Sequence, residues 1–405
     1  MLRLYSFTFN VLKPKLIMKN IFTSILFSIT FLLALGQSQS LQIPSYVSLP
    51  KDSILRKQLL TSLSDFMGQI DKPNAENTRV SNLDLPETAL LLDEMKGIEK
   101  SNKYKEDHFF KASLSNVFKL NDSLFTIQLS YMAQRNDTLM LRAMITLLAQ
   151  RQHGEFYFKS PLKSNTILWK SMKVANTHIY YKSQLNTSKA KECFNMTLKY
   201  DKKLSAKIFQ HTFYCCDNYQ EVLRLIGVDY KSDYNGRTYG SLSTKENNQS
   251  IEVDGALTPS FKVFDSHDLW HSRLYKVLSN DIINRPVDEG TAYLYGGSWG
   301  LSWKVILKRF KQYAAENKNA DWLVLYNESK NYDEKAKFPL NVDFVINALI
   351  IQNLEKEKGF PAVMELLSCG KKEKDNENYF KDLERICGIS KTDFNKKVWD
   401  LIDSN

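Results

Sequence analysis

DSHDLWHSRL (265–274) and NRPVDEGTA (284–292) are the two stretches on which the reading of this 405-residue chain turns. His267 and His271 stand four residues apart, so on a helix their imidazoles share one face, one turn apart, and both can reach a single ion. Asp265 or Ser266 occupies the place of an N-cap, while Leu269 and Trp270 supply the apolar side of that helix. Seventeen residues separate His271 from Glu289. Pro286 fits the first turn of a second helix, and Gly290 and Ala292 are small enough to permit close helix–helix approach. A carboxylate at Glu289 completes a His2Glu set that leaves one position of a tetrahedral zinc ion open, as catalytic sites require.

Outward from this centre, the chain divides by pattern. On its C-terminal side, from about Ser266 to Asn405, almost everything reads as helix. On its N-terminal side, from Ser171, strand-like VANTHIYYK (174–182) and HTFYCC (211–216) alternate with helical KAKECFNMTLKYDKKLSAKIF (189–209) and NYQEVLRLIG (218–227). SDYNGRTYGSLSTKENNQSIEVDG (232–255) carries the Gly, Asn and Ser punctuation of two short strands around a loop. Further back, SLFTIQLSYMAQ (123–134), TLMLRAMITLLAQRQ (138–152) and GEFYFKS (154–160) alternate apolar and polar residues between Asn-Asp and His-Gly turns, which predicts an antiparallel meander. One helix is expected in DSILRKQLLTSLSDFMGQI (52–70), capped by Asp52 or Ser53. The expected class is therefore α+β: a β-rich N-terminal domain over 37–170, a small mixed sheet with metal-bearing helices over 171–345, and a helical part of the same unit over 346–405.

HDLWH, the spacer and Glu289-Gly290-Thr291-Ala292 together resemble the HExxH…EGxA arrangement of gluzincin zinc metallopeptidases, and most of all the aminopeptidase-related peptidase MA-like group. The C-terminal helices from Leu340 to Ile402, with a Lys-Gly turn and a GIS…W ending, are similar to that group's, as is the strand–loop–strand before the metal helix. The likeness spans roughly Asn176 to Asp403 and leaves 41–170 outside it. It implies a gluzincin-like domain and an exported enzyme that hydrolyses peptide bonds through a zinc-activated water, with His267, His271 and Glu289 as ligands. The residue after the first histidine would be the general base, and here it is Asp268 where the family has Glu. Aspartate is one methylene shorter, so its carboxylate stands on the order of 1 Å further from the water, a displacement that can cost about a hundredfold in rate. A second reading therefore stays open: a catalytically weak or inactive relative that holds zinc and binds a peptide or protein partner. For the oxyanion-stabilising group the candidates are Tyr293, Tyr295, Tyr313, Tyr326 and Tyr332, and for the edge strand that would hold an extended peptide, Tyr239, Gly240 and Ser241.

Composition bounds the remaining classes. The formal charge is +10, but lysines alternate with acids, as in Glu355-Lys356-Glu357-Lys358, and no basic stripe with interleaved aromatics exists, which argues against nucleic acid as a partner. Lys15 and Lys19 precede the apolar run Ile21–Leu35, and Ala34-Leu35-Gly36 has the small-x-small pattern of a signal-peptidase site. Residues 1–36 thus read as a signal peptide, with Met18 as an alternative start, and the mature chain is expected in the periplasm or outside the cell with no stable membrane span. The five cysteines admit a Cys369–Cys387 disulfide or simple burial as small hydrophobes. His108, His153, His178 and His211 have no ligand spacing.

Overall fold

The computed structural model describes residues 41–98, 109–334 and 337–405. The expected signal segment lies outside the described residues. The chain is α+β and forms two compact units. One comprises the described residues up to Asn165 together with Leu223–Gly236, the other Thr166–Val222 and Arg237–Asn405.

In the first unit, helices α1 (Ser53–Met67) and α2 (Leu85–Met95) accompany the strands β1 (Lys111–Lys119), β2 (Leu124–Arg135), β3 (Thr138–Gln152) and β4 (Glu155–Lys159), which follow one another antiparallel. The expected cap holds: the Asp52 carboxylate accepts from the amides of Ile54 and Leu55 at 2.8 and 3.0 Å. Both hairpin turns place their two central residues at positive φ, Asn136 and Asp137 at 47° and 62°, His153 and Gly154 at 50° and 83°. That geometry matches the twist of the flanking strands and explains why Asn, Asp and Gly stand there. Helix α2 is not announced by periodicity, because nearly all of LPETALLLDEM is buried.

A late segment returns to this unit. Strand β8 (Val228–Lys231) pairs antiparallel with β3, with Ala143 opposite Lys231. Lys231 Nζ lies 2.6 Å from a carboxylate oxygen of the buried Glu94 on α2, and the Tyr234 hydroxyl donates to the same carboxylate at 2.8 Å.

The second unit is built on a five-stranded mixed sheet in the order β5 (Lys170–Val174), β6 (Thr177–Tyr181), β7 (Gln210–Cys215), β10 (Gln249–Asp254), β9 (Ser241–Glu246). The β6–β7 and β7–β10 pairs are parallel and the outer pairs antiparallel. Parallel neighbours need a crossover, and α4 (Thr187–Lys203) supplies the one between β6 and β7, after the short helix α3 (Leu162–Asn165) of the first unit. Its Cys193 and Phe194 pack with Ile179 and Phe213 of the sheet in a small apolar core. Helix α5 (Tyr219–Ile226) follows β7.

Among the described residues after β10 the regular elements are helices, apart from isolated bridges: α6 (Ser266–Leu274), α7 (Arg285–Gly296), α8 (Trp303–Glu316), α9 (Trp322–Asn327), α10 (Val342–Lys358), α11 (Phe360–Leu367), α12 (Glu377–Cys387) and α13 (Phe394–Ser404). Their inward faces form one large apolar core that includes Trp270, Val287, Ala292, Trp322, Ile346 and Leu349. The five cysteines are free thiols, so Cys369 and Cys387 are unbridged; both are partly buried, which pushes their thiols up to about 12 and about 11. No helix among the described residues is long and apolar enough to cross a membrane.

Candidate metal centre

Two helices carry the site. The Asp265 side chain accepts from the His267 amide at 2.7 Å and so starts α6 at the expected place. Trp270 is fully buried and its indole donates to Thr291 Oγ1 of α7 at 2.7 Å, which fixes the rotation of α6 against α7. Behind α7, a Cβ on Gly290 would stand 2.5 Å from Asn347 Cβ and 2.9 Å from the Ala348 amide of α10, so only glycine permits this approach. With α7 clamped on both sides, Glu289 is presented to the histidines of α6.

The three ligand atoms converge. His267 Nε2 and His271 Nε2 are 3.1 Å apart, and one Glu289 oxygen lies 3.2 and 3.7 Å from them. Such a triangle has a centre about 1.9 Å from every corner. That distance is close to the roughly 2.0–2.1 Å of zinc bonds to imidazole and carboxylate, so the three residues would be able to hold such an ion. Among the described residues this is the group of histidines, cysteines and acids that meets the geometry of a metal site. Two imidazoles and a carboxylate converging in this way could hold a metal ion.

Each ligand is held from behind. His267 Nδ1 donates to the Gly297 carbonyl at 2.7 Å, and because a carbonyl only accepts, the proton sits on Nδ1 and the Nε2 lone pair faces the trio. Gly297 adopts a φ of 76° at the end of α7, where a Cβ would meet the Leu301 carbonyl at 2.1 Å. His271 Nδ1 lies 2.7 Å from the carboxylate of Asp288, a fully buried acid in the first turn of α7. Carboxylate–histidine pairs of this kind orient metal ligands and raise their basicity. Asp288 is secured in turn by the Tyr275 hydroxyl at 2.9 Å and by Arg285, which also pairs with the Glu289 oxygen that faces away from His267.

The charges respond accordingly. Burial alone would lower the His271 pKa, but hydrogen bonds to Asp288 and Glu289 outweigh it and raise it to about 9. Burial opposes ionisation of Glu289, yet the two histidines and Arg285 hold its carboxyl far below the usual range.

The other expected residues fall in different places. Asp268 follows His267 on α6, exposed and without a hydrogen bond or ion pair among the described residues. Ser241 begins β9, which is the edge of its sheet. Gly240 lies just before it and Tyr239 is 72% exposed, and no hydrogen bond or ion pair links these three to the trio. Of the five tyrosines, Tyr295 donates to Glu355, Tyr332 to the Ile306 carbonyl, and Tyr326 accepts from Asn347. Tyr293 packs 5.8 Å from the His267 ring. Tyr275, absent from the sequence-based candidates, stacks on His271 at 6.0 Å and is 38% exposed.

Comparison with family models, with curated proteins and with solved structures gives no match.

Proposed function

We propose that the chain is a zinc-dependent metallopeptidase of gluzincin type, exported from the cell, that hydrolyses peptide bonds with His267, His271 and Glu289 as metal ligands. The observation that carries the reading is the ligand triangle of 3.1, 3.2 and 3.7 Å, each corner of which is oriented by its own partner. Zinc held there supplies a Lewis acid and lowers the pKa of a bound water toward about 7. The chain's own residues do the rest. Asp268, which follows His267 on the same helix, takes up the proton in this reading, and its exposed carboxylate has no hydrogen-bond or ion-pair partner among the described residues. Tyr293, whose ring packs against that of His267, is the phenol we assign to steady charge that develops at the site. The β9 edge offers backbone groups for an extended peptide.

The same Asp268 supports a second reading, a zinc-holding relative of little or no activity that binds a peptide or protein partner, because its side chain is short for the role. Peptide cleavage by the zinc-loaded protein, compared across Asp268→Asn and Asp268→Glu, separates the two. The peptidase reading expects Asp268→Asn to abolish cleavage and Asp268→Glu to raise it. Cleavage unchanged in Asp268→Asn removes the base role, and none in wild type or Asp268→Glu leaves the binding reading.

A further inference from the structure

A second polar cluster lies at the far end of α6. Strand register sets Thr177, His211, Ser250 and Lys245 side by side across β6, β7, β10 and β9. Directly opposed residues project from the same sheet face, so the four form one row. That row, together with Lys207, Arg273 and Lys276, lines a cavity of about 130 Å³.

The acids near this cavity are already engaged. Arg273 grips Asp201 with two hydrogen bonds of 2.6 and 2.7 Å, and Glu252 lies 3.6 Å from His211 Nε2. The Lys207, Lys245 and Lys276 ammoniums form no ion pair or hydrogen bond among the described residues; those of Lys207 and Lys245 rest 4.8 and 5.0 Å from the centre of the Phe209 ring. Like charges gathered around one cavity repel. Desolvation, and then the charge of Arg273, pull the Lys276 pKa down against the opposing charges of Glu252 and Asp201. Three lysine ammoniums thus border a space whose acids, Asp201 and Glu252, lie against Arg273 and His211.

We propose that this cavity is a binding site for a small oxyanion, held by Lys207, Lys245 and Lys276 with the Ser250 hydroxyl as a further donor. The shared chemistry is a phosphate, sulfate or carboxylate group, whether of a free anion or of the acidic end of a peptide lying along β9. It stands independently of the zinc reading, since none of its residues touches the trio.

The test is calorimetric titration of the full chain with inorganic phosphate at low ionic strength, where surface charges are least screened. One saturable site is expected, weakened at least tenfold in Lys245→Gln/Lys276→Gln and unchanged in Lys396→Gln, which lies on α13. Thermal unfolding without phosphate checks that the variants remain folded, and zinc content checks that the metal centre is untouched. A peptide ending in a free alanine, against its amidated form, distinguishes the sources: competition with phosphate by the free acid alone assigns a peptide carboxylate, and phosphate binding without competition assigns a free anion. No saturable phosphate binding, or equal weakening in Lys396→Gln, overturns the proposal.

Discussion

Helix α6 links two polar clusters that solve the problem of charge in opposite ways. At its N-terminal end, each member of the trio is held by a partner: His267 by a carbonyl, His271 by Asp288, Glu289 by Arg285, and Asp288 in turn by Tyr275. Toward its C-terminal end, past Arg273 and its Asp201, Lys207, Lys245 and Lys276 form no ion pair among the described residues. The first arrangement fixes lone pairs in space, as a metal of defined geometry needs. The second concentrates positive charge without fixing it, which suits an anion of less exacting geometry. Interlocking partners thus mark a site that demands shape, and clustered lysines without ion pairs one that demands only sign.

Breaking the ordered cluster directly has the largest effect expected. His267→Ala or His271→Ala should weaken zinc binding by more than about a hundredfold, beyond the range for loss of an orienting partner, as read by competition with a chromophoric chelator. Asp288→Asn removes only the orienting charge and should cost about 10–100-fold in zinc affinity while far-UV circular dichroism is unchanged. Gly290→Ala tests the clamp that presents Glu289. Overpacking against Asn347 and Ala348 costs about 1–3 kcal/mol, so its midpoint in urea should fall despite the better helix propensity of alanine. The smallest effect should come from the disordered charges: Lys276→Glu places an acid between Arg273 and Lys245 and should raise stability by about 0.2–1 kcal/mol at low salt. A fall in stability there would mean that the lysines do not repel as placed.

Local patterns made the ordered cluster legible and long-range ones hid the rest. The i, i+4 spacing of His267 and His271 and the Asn-Asp and His-Gly turns are properties of a few consecutive residues, and the chain shows them as read. The α+β class follows from the same short-range signals. Asp288 escaped because its approach to His271 depends on how α6 and α7 dock; the only hint was an acid preceding Glu289 at a helix start. Tyr275 escaped for the same reason. Helix α2 lacks a polar face and so lacks a period, and β8 joins β3 across more than eighty residues of intervening chain, a pairing no local pattern announces. The lysine cavity depends on register across four strands, which places His211 beside Lys245's partner Ser250 although the sequence separates them widely.

The central claim is that the trio is a zinc site. Chelator-treated protein titrated with zinc should take up one equivalent in wild type, with that equivalent lost in both His267→Ala and His271→Ala. Failure to bind stoichiometric zinc, or binding that survives removal of either histidine, would contradict it.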